Sequence, residues 1–142
     1  MKKLGIIIYA RTSSKRLPKK VLKKILNKSL LEIVILRVKK ASGKIPVIVN
    51  TSNKKSDDKI IQICKKNKIK YFRGDLNNVF KRKIDCCKKF NLDSFVRINA
   101  DRPFLDLKKK KKMINLFLLG KYDIVTNQYP KTFPSGLACE VA

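Results

Sequence analysis

Apolar and polar positions follow two alternating periods along this chain. Residues 4–10 form a continuous apolar run, the pattern of a strand buried on both faces. Residues 11–28 are polar and irregular, with Pro18 inside them, and predict a loop. From Ser29 the pattern becomes helical. Ser29 and Glu32 have capping-box spacing, Leu30, Leu31, Val34 and Val38 continue along one face, and Gly43 stops the helix. Residues 45–49 read as a second strand, with Pro46 near its start. Ser56-Asp57-Asp58 opens a second helix, where carboxylates favour the positive end of the helix dipole. Its apolar stripe is Ile60, Ile61, Ile63 and Cys64. A short third strand at 69–72 ends at Gly74, and 78–90 reads as a helix with Phe80, Ile84 and Cys87 at i, i+4, i+7. A fourth strand at 94–98 leads into a loop at 99–106. The helix of 106–119 then has a polar start at 108–112, Gly120 ends it, and 122–126 reads as a fifth strand.

Strands alternating with helices predict an α/β fold with a mainly parallel sheet. Ligands of such sheets bind outside the carboxyl ends of the strands. Those ends are residues 11–20, 51–53, 73–74 and 99–103. A length of 142 residues makes residues 1–142 a single domain. No apolar run approaches the roughly 20 residues of a membrane helix, so a spanning protein is excluded. The basic start is followed by a strand-length apolar run and no cleavage pattern, so a cytoplasmic protein is expected.

Charge changes the picture less than its size suggests. The formal net charge is +26. Of the 36 basic residues 29 are Lys, and Lys, Ile and Asn together make up 55 of 142 positions. These amino acids have A/T-rich codons, so a biased genome inflates all three. A nucleic-acid reader would use Arg forks and aromatic platforms, but Arg is sparse and Trp absent. No specific nucleic-acid partner is expected. The absence of His removes His-based triads and most zinc sites, and Cys64, Cys86, Cys87 and Cys139 lack metal or redox spacing. Any metal is then a hard ion held by oxygen, Mg²⁺ or Mn²⁺.

Two segments carry candidate chemistry. The loop after the first strand reads Ala10-Arg11-Thr12-Ser13-Ser14-Lys15-Arg16-Leu17-Pro18-Lys19-Lys20. Its cations and hydroxyls suit a polyphosphate, although it has the glycines of neither a P-loop nor a dinucleotide fingerprint. A solvated basic loop is the alternative. In Arg97-Ile98-Asn99-Ala100-Asp101-Arg102-Pro103, Asp101 stands where a nucleotide-bound metal needs a carboxylate. A loop Asp that caps a turn is the alternative there.

These segments resemble the nucleotide-sugar cytidylyltransferases. Residues 10–22 resemble their A-R-x-G-S-x-R-L-P-G-K-x-L signature, and 31–37 their following helix. Val49-Asn50-Thr51-Ser52 with Asp57-Asp58, Phe72-Arg73-Gly74-Asp75, residues 97–103, and Pro134-Ser135-Gly136-Leu137 with Glu140-Val141 resemble later motifs in the same order. The branch most resembled is the spore-coat polysaccharide type, related to the acylneuraminate and 3-deoxy-manno-octulosonate enzymes. The resemblance implies a Rossmann-like three-layer α/β/α nucleotide-diphospho-sugar transferase fold. It implies transfer of CMP from CTP to a sugar or sugar acid, with release of pyrophosphate, for surface polysaccharide synthesis. It also implies that Arg11, Arg16 and Lys20, with Ser14, hold the triphosphate and that Asp101 binds a catalytic Mg²⁺. Thr51, Arg73 and Gly74 would lie near the nucleotide, and a homodimer is a candidate assembly.

The chain departs from the pattern in three places. Ser13 and Lys19 stand where the motif has glycine, and Ala138 where an acidic residue is usual. The pattern of the relatives runs on beyond residue 142, so a C-terminally truncated domain is expected. Three competing readings are an enzyme of the same fold that transfers another nucleotide or uses a nucleotide-sugar donor, a nucleotide-binding remnant that has lost turnover, and a basic polyanion-binding module.

Overall fold

Residues 4–9 hold the centre of the molecule because each face of the strand they form meets a different apolar layer. A computed structural model describes residues 3–130, 134 and 137–142. Strand β1 (Leu4–Tyr9) is followed by a small hairpin, β2 (Lys24–Ile25) and β3 (Lys28–Ser29), and by helix α1 (Leu30–Ser42). Then come β4 (Val47–Ser52), α2 (Asp58–Lys66), β5 (Lys70–Gly74), α3 (Val79–Phe90), β6 (Ser94–Asn99), α4 (Leu107–Leu118), β7 (Val125–Thr126) and β8 (Glu140–Val141).

The main sheet has the order β5-β4-β1-β6-β8-β7. Its first four strands are parallel, while β8 runs antiparallel to both β6 and β7. Ile6 and Ile8 face a core built with Leu31, Val34, Ile35, Val38, Ile60, Cys64, Ile114 and Phe117 of α1, α2 and α4. Ile7 faces the other way, onto Cys86 of α3, Leu92 and Phe95. Helices on both faces give the expected three layers. The chain winds outward from β1 to β4 and β5, then returns to place β6 on the other side of β1. The strand order therefore reverses between β1 and β6, and a crevice opens at their carboxyl ends.

Local signals explain most element boundaries. The Glu32 amide donates to Ser29 Oγ at 3.2 Å and the Ser29 amide donates to Glu32 Oε2 at 2.8 Å, the predicted capping box. These Ser29 bonds, with Lys66 beside it, hold the Glu32 carboxyl below its ordinary range. Asp106 caps α4 by accepting from the amides of Lys108 and Lys109, both at 3.0 Å.

Two expectations are corrected. The buried face of α3 is Arg82 and Cys86, while Phe80 is 66% exposed. A Lys83 ammonium lies 4.6 Å from the Phe80 ring centroid, a cation–π contact at the surface. The predicted fifth strand shortens to Val125–Thr126 and joins the sheet only through β8. The hairpin and β8 are new, since two-residue strands carry too little periodicity to be read. The four cysteines are unpaired. Burial pushes the Cys64 and Cys86 thiols up to about 12, so both are core filling rather than nucleophiles.

Candidate active site

The geometry of the crevice starts from one buried carboxylate. Asp57 is 1% exposed and lies just before α2. Its Oδ1 accepts from the Thr12 amide at 2.8 Å and the Thr12 hydroxyl at 2.6 Å. Its Oδ2 accepts from the Thr51 hydroxyl at 3.0 Å, the Ser52 amide at 3.2 Å and the Ser52 hydroxyl at 2.5 Å. Burial pushes the Asp57 pKa up, but the donated bonds from Ser52, Thr12 and Thr51 together outweigh it and leave the group below its ordinary value. The sequence pattern makes Asp57 a helix opener. The structure gives it no capping bond and makes it the clamp between the loop after β1 and the end of β4.

From Thr12 the loop closes on itself. The Thr12 carbonyl accepts from the Ser14 amide at 2.9 Å and from the Lys19 amide at 3.0 Å. Lys19 has φ 55° and ψ 26°, the left-handed conformation that glycine adopts without strain. Of the two motif glycines replaced here, position 19 is therefore the one where the backbone needs a positive φ. Ser13 is absent from the positive-φ residues.

This pinned loop forms one wall of a cleft of about 630 Å³ at the carboxyl ends of β1 and β6. Arg11, Ser14, Arg16 and Lys20 line it from the loop, and Asp101 lines it from the segment after β6. The Lys20 ammonium donates to Asp101 Oδ2, forming an ion pair across the cleft. The structure thus brings together five of the eight residues singled out from the sequence. Thr51, Arg73 and Gly74 do not line the cleft. Thr51 is fully buried on Asp57. Arg73 fastens the segment between β4 and α2, with Nε 3.0 Å from the Ser52 carbonyl, Nη2 2.9 Å from the Lys54 carbonyl and Nη1 2.8 Å from Asp58 Oδ1. Gly74 makes room for Arg82, because a Cβ there would stand 2.7 Å from Arg82 Cγ.

Sequence reasoning missed Arg82, Tyr9, Arg97 and Asn99, which also line the cleft. Arg82 is 2% exposed, and its Nη1 donates to the Asp75 carbonyl at 2.6 Å. Its Nε is buried without a partner. Burial, and then the Arg11 charge, lower its pKa. The Arg97 guanidinium lies 5.5 Å from the Tyr9 ring centroid. Arg82 sits in a helix whose apolar signal falls on other residues, so nothing in the pattern marks it. Arg97 does lie in a quoted motif, on the strand just before Asp101.

Six cations, namely Arg11, Lys15, Arg16, Lys20, Arg82 and Arg97, therefore face one carboxylate, Asp101. The arrangement suits a ligand with several negative charges. Asp101 is 33% exposed at its side chain. Among the described residues no three His, Cys, Asp or Glu side chains cluster as a metal site. One accessible carboxylate does not make a resident cage, but it fits a Mg²⁺ ion that brings its own water and phosphate oxygens. Among the described residues, no helix is long and apolar enough to cross a membrane.

Comparison with known proteins shows the family and the fold. The family model described as cytidylyltransferase matches residues 5–133. An uncharacterized protein of Methanocaldococcus jannaschii is 36% identical over 141 residues, covering 99% of this chain and 56% of that protein. The spore coat polysaccharide biosynthesis protein SpsF of Bacillus subtilis is 27% identical over 146 residues, covering 99% of this chain and 59% of that protein. The solved structure of a cytidylyltransferase from Leptospira borgpetersenii superposes with a TM-score of 0.93 at 34% identity, covering 99% of this chain and 60% of that one. The chain thus spans 56% to 60% of the length of these three proteins. The motif expected at 134–137 lies partly outside the described residues, since 135 and 136 are not among them.

Proposed function

Because this chain belongs to the cytidylyltransferase family, we propose that it transfers CMP from CTP to a hydroxyl of a sugar or sugar acid, releasing pyrophosphate, for the synthesis of a surface polysaccharide. One observation carries the reading. A loop clamped at Thr12 by Asp57 presents Arg11, Arg16 and Lys20 opposite Asp101, at the point where the strand order reverses.

In this reading the acceptor oxygen attacks the α-phosphorus, the bond from that phosphorus to the β-phosphate oxygen breaks, and the acceptor proton leaves to solvent. The loop lysine and arginines hold the β- and γ-phosphates, so the leaving pyrophosphate is already paired with cations. Ser14 adds a neutral donor. Catalysis is then mostly positioning and charge neutralisation. Asp101, with the phosphate oxygens, would hold a Mg²⁺ ion that offsets charge on the reacting phosphates. The Lys20–Asp101 pair has a direct role here. Lys20 holds the carboxylate while the cleft lacks nucleotide, then exchanges it for phosphate when the nucleotide enters. Each charge is paired before and after.

The test is a pyrophosphate-release assay over four nucleoside triphosphates and a panel of neutral sugars and sugar acids. CTP should be preferred and a divalent ion required. Asp101→Asn should melt like the parent and lose the divalent-dependent turnover. Full activity in that variant, or indifference to the base, would refute the reading.

A further inference from the structure

The hairpin β2–β3 contains a residue that neither folding nor the cleft explains. Its register pairs Lys24 with Ser29 and Ile25 with Lys28, leaving Leu26 and Asn27 as a two-residue turn. Leu26 has φ 54°, the left-handed conformation for which such turns select Gly, Asn or Asp. It is also 93% exposed, and its neighbour Ile25 is 54% exposed. A branched apolar side chain is thus held in a strained conformation and pointed into water, next to an Asn that would suit the same position. The abundance of lysine in this chain does not account for a leucine there.

We propose that this hairpin is a contact for an anionic lipid bilayer, with Leu26 and Ile25 entering the interfacial layer and Lys23, Lys24 and Lys28 meeting the headgroups. All three lysines are exposed and lie within three residues of Leu26. No acidic residue occurs before Glu32, so nothing on this segment dilutes the field. The hairpin forms a two-stranded sheet of its own, outside the six-stranded one. An apolar tip and a basic collar are the two weak signals that together hold a protein at a membrane surface. The same features argue against other occupants. A nucleic acid would satisfy the lysines and leave Leu26 in water. A second copy docked through the same hairpin would set its own Lys23, Lys24 and Lys28 against these.

The full chain is sedimented with vesicles of phosphatidylcholine alone and with vesicles containing phosphatidylglycerol, at low and high salt. Binding to the anionic vesicles only is expected. Leu26→Asn relieves the strained turn, so it should melt at the same temperature or higher. It should nevertheless partition roughly tenfold to a hundredfold less, the worth of returning one leucine to water. The chain has no Trp, so Leu26→Trp supplies a single emission signal. That emission should shift to the blue on anionic vesicles. Equal partition of the parent and Leu26→Asn, or an unshifted emission while the protein is vesicle-bound, would overturn the proposal and leave only a charge field.

Discussion

Replacing Asp57 by Asn tests whether one carboxylate organises the cleft. The side chain keeps its shape, loses its charge, and exchanges one acceptor oxygen for an NH₂ group. If the nitrogen faces Thr12, the Thr12 hydroxyl can rotate to accept from it, but the Thr12 amide, 2.8 Å from Oδ1 in the parent, cannot. If it faces the other side, the Thr51 and Ser52 hydroxyls can rotate, but the Ser52 amide, 3.2 Å from Oδ2, cannot. Either way one backbone N–H is left unsatisfied, which costs about 1–3 kcal/mol. The remaining bonds lose their charge assistance as well. A loss of about 3 kcal/mol is expected, against a total stability of about 5–15 kcal/mol for a domain. For a chain of this size that is a fall of roughly 10 °C in Tm. The effect also has a pH signature. The folded-state pKa of Asp57 lies below its unfolded value. Its stabilisation is therefore complete above about pH 4 and disappears as the pH falls through the folded value. Thermal unfolding followed by circular dichroism should show a wide gap in Tm between parent and variant at pH 7 that narrows on acidification below about pH 4. A Tm change of under about 2 °C, or a gap that stays constant into acid, would refute the clamp.

Two other changes separate specific from generic effects. Arg16→Ala should weaken CTP binding roughly tenfold to a hundredfold, the worth of one charge-assisted bond. Neutralising the exposed lysines Lys108, Lys111 and Lys112, which do not line the cleft, should change it only about a few-fold, and less at high salt. Titration calorimetry that ranked these the other way would favour a polyanion-binding module. Lys110 is 4% exposed, its ammonium has no hydrogen-bond partner, and burial lowers its pKa to about 8. Because the unfolded chain holds that proton to higher pH, the stability lost to Lys110 is recovered as pH rises from about 8 towards about 10.4. Lys110→Met should raise Tm at pH 7, with the advantage shrinking by pH 10. An unchanged or lowered Tm at pH 7 would sink this account.

The sheet and the helices were legible wherever a period ran for a full element. Residues 4–10 read as a doubly buried strand, and Ile7 facing Cys86 while Ile6 and Ile8 face the other core is the reason. The capping box at Ser29 was legible because two side chains report one backbone event. Lys110 was not, since its neighbours in the lysine run are exposed or half-buried and composition alone cannot single out the one facing the core. In the cleft, the loop cations and Asp101 were legible as runs at strand ends. Thr51, Arg73 and Gly74 came from the same motifs, and the structure shows what each holds: Asp57, the segment after β4, and the space for Arg82. The part that Arg82 takes depends on a helix docking against β4 and β5, which is a tertiary fact.

The antiparallel strand β8 between β6 and β7 has a consequence for the order of synthesis. Strands β1, β4, β5 and β6 can pair as soon as residue 99 has left the ribosome. The far edge of β6 then stays open until Glu140 and Val141 arrive. At roughly 5–20 residues per second that wait lasts a few seconds. During it the nascent chain shows unpaired amides and carbonyls from a largely buried strand, the template on which β-rich aggregation starts. The protein would be most exposed to misassembly in this interval, and a chaperone that covers the β6 edge would be best timed to act between the emergence of β6 and the emergence of β8.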